Sequence, residues 1–131
     1  MYEFKKGVKS AGVNRQYSGT AGRVENSQIG VFLAYSSTRG SALIDRELYL
    51  PQVWIDDQDR RKEAKIPESK EFLTKPQLAV SMFRHAINGN MPFCWAAGDE
   101  VYGRDDQLRQ MLEDEGESYV LAVPSNEHYY L

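Results

Sequence analysis

The chain has 131 residues, 41% hydrophobic and 27% charged, with a net charge of −3. That length suits one domain with its own core, and the acidic balance argues against DNA binding by bulk charge alone. No apolar run approaches the ~20 residues that span a bilayer, the first residues lack the apolar stretch of a secretory leader, and the single cysteine, Cys94, excludes an internal disulfide or a cysteine-rich zinc site. A cytoplasmic location is the expectation.

Residues 1–24 hold Gly7, Gly12, Gly19 and Gly22 among basic and small polar residues. The pattern predicts irregular, tightly turning backbone. Lys5, Lys6, Lys9, Arg15 and Arg23 face only Glu3 there, so residues 1–23 carry +4 and the remainder −7. A basic segment on an acidic body is a candidate phosphate contact, through Lys5, Lys6, Lys9 and Arg15; a solvated basic tail is the alternative. A nucleotide P-loop pattern is absent.

Gln28 to Tyr35 is a nearly continuous apolar, β-rich run and predicts a strand covered on both faces. After a turn at residues 36–41, Ala42 to Leu50 alternates, with Ala42, Ile44, Leu48 and Leu50 on one face. The short link makes the two an antiparallel hairpin. Residues 52–74 form a charged insert, read as a solvated short helix or loop anchored by Trp54.

Thr74-Lys75-Pro76-Gln77 has capping-box spacing. Leu78, Ala79, Met82, Phe83, Ala86 and Ile87 then form one stripe of a helix that Gly89 ends. His85 lies off the stripe and reads as a surface residue. Met91 to Ala97 predicts a buried strand. It breaks at Gly98 and delivers Asp99 and Glu100. A carboxylate at the carboxyl end of a strand is where open α/β sheets place their chemistry; it is also what caps a turn, and local pattern leaves both readings open. Asp105 or Asp106 caps a helix with Leu108, Met111 and Leu112 inward, and Tyr119 to Val123 is a final strand. Helical crossovers put the later strands parallel. The class is α/β, a mixed sheet with an antiparallel hairpin. A serine or cysteine hydrolase is disfavoured, because Cys94 lies within an apolar run and neither His85 nor His128 has triad context.

The run Trp95-Ala96-Ala97-Gly98-Asp99-Glu100-Val101-Tyr102-Gly103, followed by Leu108, Leu112 and Tyr119 to Val123, resembles the catalytic domain of bacterial insertion-sequence transposases of the DDE superfamily endonuclease type. Lys5-Lys6-Gly7, Ser10 to Val13, Arg15 to Thr20, Val31 to Tyr35, Asp45 to Pro51 and Thr74 to Pro76 extend the resemblance in order over residues 4–123. It implies a ribonuclease-H-like fold and metal-dependent cutting and joining of DNA at transposon ends. Three carboxylates of that family hold two magnesium or manganese ions, which activate the nucleophile and stabilise the leaving oxygen.

By position Asp99 matches the second catalytic, metal-binding carboxylate. Glu100 follows it, with a supporting role and its side chain directed away. The first aspartate of the family falls before Lys5-Lys6-Gly7, on a first strand that has no counterpart here; Glu3 lies near that place without matching residues around it. Glu113, Glu115, Glu117 and Glu127 show no match to the third carboxylate. The expectation is therefore a partial catalytic domain over residues 1–131, lacking the first strand and inactive alone. The alternative is a non-enzymatic protein that binds transposon DNA or a full-length transposase.

Overall fold

The structure is a computed structural model and describes residues 2–4 and 7–126. Lys5 and Lys6, like Glu127 and His128, lie outside the described residues. The chain divides into two compact units, residues 1–34 with 43–74, and residues 35–42 with 75–131.

The first unit is organised along one long strand. Strand β1 (Tyr2–Phe4) and strand β2 (Asn14–Ser18) both pair antiparallel with β3 (Arg23–Ser37), β1 along Ser27–Ile29 and β2 along Arg23–Ser27. Strand β4 (Gly40–Leu48) returns from β3 through a turn at Thr38 and Arg39 and also pairs with it. The expected hairpin is present. Its outer residues, Ser36 to Ile44, are exposed.

Two expectations are corrected here. Residues 1–24 are not wholly irregular, because β1 and β2 lie within them. The turn Gly19–Gly22 joins β2 to β3, with Gly22 at φ 67°, a conformation that favours glycine. The inward face of β2 and the start of β3 is polar: Ser18 and Ser27 are buried. Polar side chains tie this face to backbone. Gln16 Nε2 donates to the Ser27 carbonyl at 2.7 Å and the Ser27 hydroxyl to the Glu25 carbonyl at 3.1 Å. Strands held this way carry no apolar alternation to read. The second correction concerns β3. From Ser27 to Val31 it alternates buried and half-buried residues, so one face is fully covered, not both.

Short helices α1 (Gln52–Asp56) and α2 (Gln58–Glu63) follow. Trp54 is completely buried with Val13, Ile29, Val31 and Leu50 in the core of this unit. Its indole N–H donates to the Val13 carbonyl at 2.7 Å. Arg60 lies 3.7 Å over the same ring and donates to the Val8 carbonyl at 3.0 Å.

In the second unit α3 (Lys75–Asn88) buries Leu78, Ala79, Met82 and Phe83, four of the six residues of the predicted stripe, while Ala86 and Ile87 are half-buried. Strand β5 (Trp95–Gly98) leads to α4 (Glu100–Gly103), then α5 (Asp106–Asp114) and β6 (Ser118–Leu121). β5 and β6 are parallel, as the crossover through α4 and α5 requires. Asp105 caps α5 by accepting from Leu108 N–H at 2.8 Å, while Leu108, Met111 and Leu112 point into the core.

The α/β class holds. Among the described residues, however, the strands form two sheets, one of four strands and one of β5 and β6 alone. β5 is also shorter and less buried than expected. Pro92 contributes no N–H and biases Met91 away from the helical region, Cys94 is exposed, and the strand starts only at Trp95. Trp95, Ala97, Ser118 and Val120 share the open face of this small sheet, with Trp95 and Val120 each 64% exposed. Ala96, on the opposite face, is the buried residue of β5.

Candidate active site

Asp99 directly follows β5 and forms the N-cap of α4, its carboxylate accepting from Val101 N–H at 3.0 Å. Its carbonyl accepts from Tyr102 N–H at 3.1 Å and Gly103 N–H at 2.9 Å. Both readings left open by the sequence therefore meet in one residue: it caps a helical turn, and it stands exposed at the carboxyl end of a strand. One carboxylate oxygen is occupied by the cap, and a carboxylate has further lone pairs to offer.

Two glycines fix this position. A Cβ on Gly98 would stand 3.1 Å from Leu121 Cδ2 and 3.4 Å from Tyr102 Cβ. A Cβ on Gly103 would lie 1.8 Å from the Ala122 carbonyl oxygen. The Ala122 N–H donates to the Gly98 carbonyl at 3.0 Å, continuing the β5–β6 pairing to the residue before Asp99.

The electrostatic neighbours of Asp99 are Lys75 and Tyr102. Burial lowers the Lys75 ammonium below its ordinary value, and the Asp99 charge acts in the opposite direction. Burial raises the Tyr102 phenol, and Asp99 raises it further. Sequence reasoning gave neither residue a place at the site. Lys75 lay in the capping box and Tyr102 in the Trp95–Gly103 run, but nothing local indicated that the start of α3 reaches the end of β5.

Glu100 opens α4 beside Asp99 and is exposed. Among the described residues no three His, Cys, Asp or Glu side chains gather where they could hold a metal ion. A two-ion centre needs several hard oxygen ligands, and Asp99 alone does not fit it. Of the basic residues singled out, Lys9 pairs with Glu63 at 3.0 Å on the surface. Arg15 is exposed on β2.

A family model described as DDE superfamily endonuclease matches residues 3–131. The chain belongs to that family. Its members act on DNA and generally use divalent metal ions. The Asp99 turn lies within the matched range, as do all but the first two residues of the two units. No curated protein and no solved structure matches the chain. No helix among the described residues is long and apolar enough to cross a membrane.

Proposed function

We propose that this chain is a portion of a DDE transposase catalytic domain that contributes Asp99 as one metal-binding carboxylate and does not cleave DNA by itself. The observation that carries the reading is the position of Asp99. It sits at the carboxyl end of β5, inside a family match covering residues 3–131, with no cluster of further ligands among the described residues. The parallel β5–β6 pair, linked through α4 and α5, supports a ribonuclease-H-like arrangement for this part of the chain. In this reading Glu100 has a supporting role, Lys9 and Arg15, with Lys5 and Lys6, face the DNA backbone, and the protein works in the cytoplasm on transposon ends.

Calorimetric titration with Mn2+ tests the site. The reading expects no saturable binding that depends on Asp99 in the isolated chain. A stoichiometric site lost in Asp99→Asn overturns the single-carboxylate reading. Asparagine is the informative substitution because it can still accept from Val101 N–H and keep the cap.

A second reading, a non-enzymatic partner of a full-length transposase, is favoured by β5 itself. Among the described residues that strand pairs only with β6, and its open face exposes Trp95. An unpaired, uncharged edge can accept another strand. Capture of a tagged transposase by the chain, lost on Trp95→Lys, supports this reading; no capture removes it.

A further inference from the structure

We propose that Arg15 and Tyr17, side by side on the outward face of β2, form a contact surface for single-stranded DNA. The inference rests on the reading that DNA is the substrate.

The register of β2 on β3 carries the argument. Arg15 pairs with Asn26 and Tyr17 with Val24. Directly paired residues project to the same face, as do residues two apart on one strand. Arg15, Tyr17 and Val24 therefore share a face, and the alternate residues, including Ser18 and Ser27, occupy the buried one. The polarity is the reverse of an ordinary half-buried strand. Serines are inside, while Tyr17 is 60% and Val24 48% exposed.

Arg15 is exposed, and among the described residues neither the Arg15 nor the Tyr17 side chain makes a hydrogen bond, ion pair or ring contact. The other described cations of this segment each have an acidic neighbour. Lys9 is paired with Glu63, and Arg23 with Glu25 at 2.6 Å. Arg15 thus has no ion pair among the described residues and shares its face with Tyr17.

The chemistry selects the ligand. An arginine takes a phosphate through its planar fork of donors. A tyrosine face stacks on a base and is indifferent to which base it is. Two strand residues in i and i+2 positions are separated by about 6.6 Å along the strand, so one nucleotide can offer its phosphate to Arg15 and its base to Tyr17. A duplex keeps its base faces stacked inside, and a flat sheet surface cannot reach them. The partner is accordingly an unpaired stretch of DNA, bound without strong sequence preference.

Fluorescence anisotropy with the full chain, a labelled oligothymidylate and a duplex of the same length tests this without metal. The single strand is expected to bind more tightly than the duplex. Tyr17→Ala and Tyr17→Thr should each weaken it at least about fivefold, with threonine preserving strand propensity, and Tyr17→Phe should bind like the wild type. Arg15→Ala should reduce the slope of log affinity against log salt by about 0.7, one phosphate contact on a single strand. Single-strand binding unchanged in both ring-deleting variants, or duplex binding as tight as single-strand binding, overturns the inference. Cleavage that depends on Asp99 would overturn the proposed function and leave the Tyr17 result standing, whereas binding that ignores Tyr17 defeats this inference alone.

Discussion

Gly103 lies against the Ala122 carbonyl so closely that any side chain there would collide with backbone, the nearest approach of a Cβ being 1.8 Å. The contact locks the end of α4 onto the segment that follows β6. Because Asp99 is the N-cap of α4, the contact also sets where that carboxylate stands.

Gly103→Ala should therefore force α4 away from Ala122 and cost at least about 2 kcal/mol, in the range of severe overpacking. Urea denaturation is the check. Gly7→Ala, where a Cβ meets nothing within 4 Å, is the control and should change stability little.

Asp99 carries a structural cost separable from any chemistry. Asp99→Ala removes the cap on α4 and should cost about 1 kcal/mol, whereas Asp99→Asn should retain most of it. Comparing the two by thermal unfolding separates the cap from the charge. Equal losses in both variants would assign the effect to charge.

The same charge should be visible in the alkaline limb of stability. The folded Tyr102 phenol keeps its proton above the ordinary value of 10.0. The unfolded chain releases it first, so stability falls as pH rises from 10.0 through the folded value. Lys75 acts in the opposite sense. Its folded ammonium gives up the proton below 10.5, so its burial penalty is relieved as pH climbs toward that value. In Asp99→Asn both groups lose the neighbour that raises them. Tyr102 should titrate lower, seen as tyrosinate absorbance against a Tyr102→Phe blank, and Lys75 should deprotonate lower.

Arg60 and Trp54 hold the segment around Val8 and Val13 to the helices. Trp54→Ala should cost about 3–5 kcal/mol as a buried aromatic truncation. Trp54→Phe keeps most of the packing but leaves the Val13 carbonyl without its indole partner, a loss of about 1 kcal/mol. Arg60→Ala removes both the ring contact and the donor to Val8, and should increase amide exchange in residues 7–13.

How much of this was legible depended on which force holds each element. α3 and α5 are amphipathic, and their stripes read directly from spacing, as did a cap at Asp105 or Asp106, of which the structure uses Asp105. β2 did not, because its inward residues are Gln16 and Ser18 and satisfaction of polar groups replaces apolar burial. β5 was read too long because the apolar run from Met91 continues through Pro92, which has no N–H to give a ladder, and pairing starts only at Trp95. The place of Asp99 followed from the break at Gly98. Its neighbours Lys75 and Tyr102 did not, since the approach of α3 to the end of β5 is tertiary and leaves no periodic trace.

The central proposal is that Asp99, with no cluster of further metal ligands among the described residues, does not form a working DDE centre by itself. The most direct measurement is Mn2+-dependent nicking of DNA by the purified chain beside Asp99→Asn, which keeps the cap. The account predicts the same background in both. Nicking by the wild type that disappears in Asp99→Asn would contradict it and show that a complete site forms within this chain.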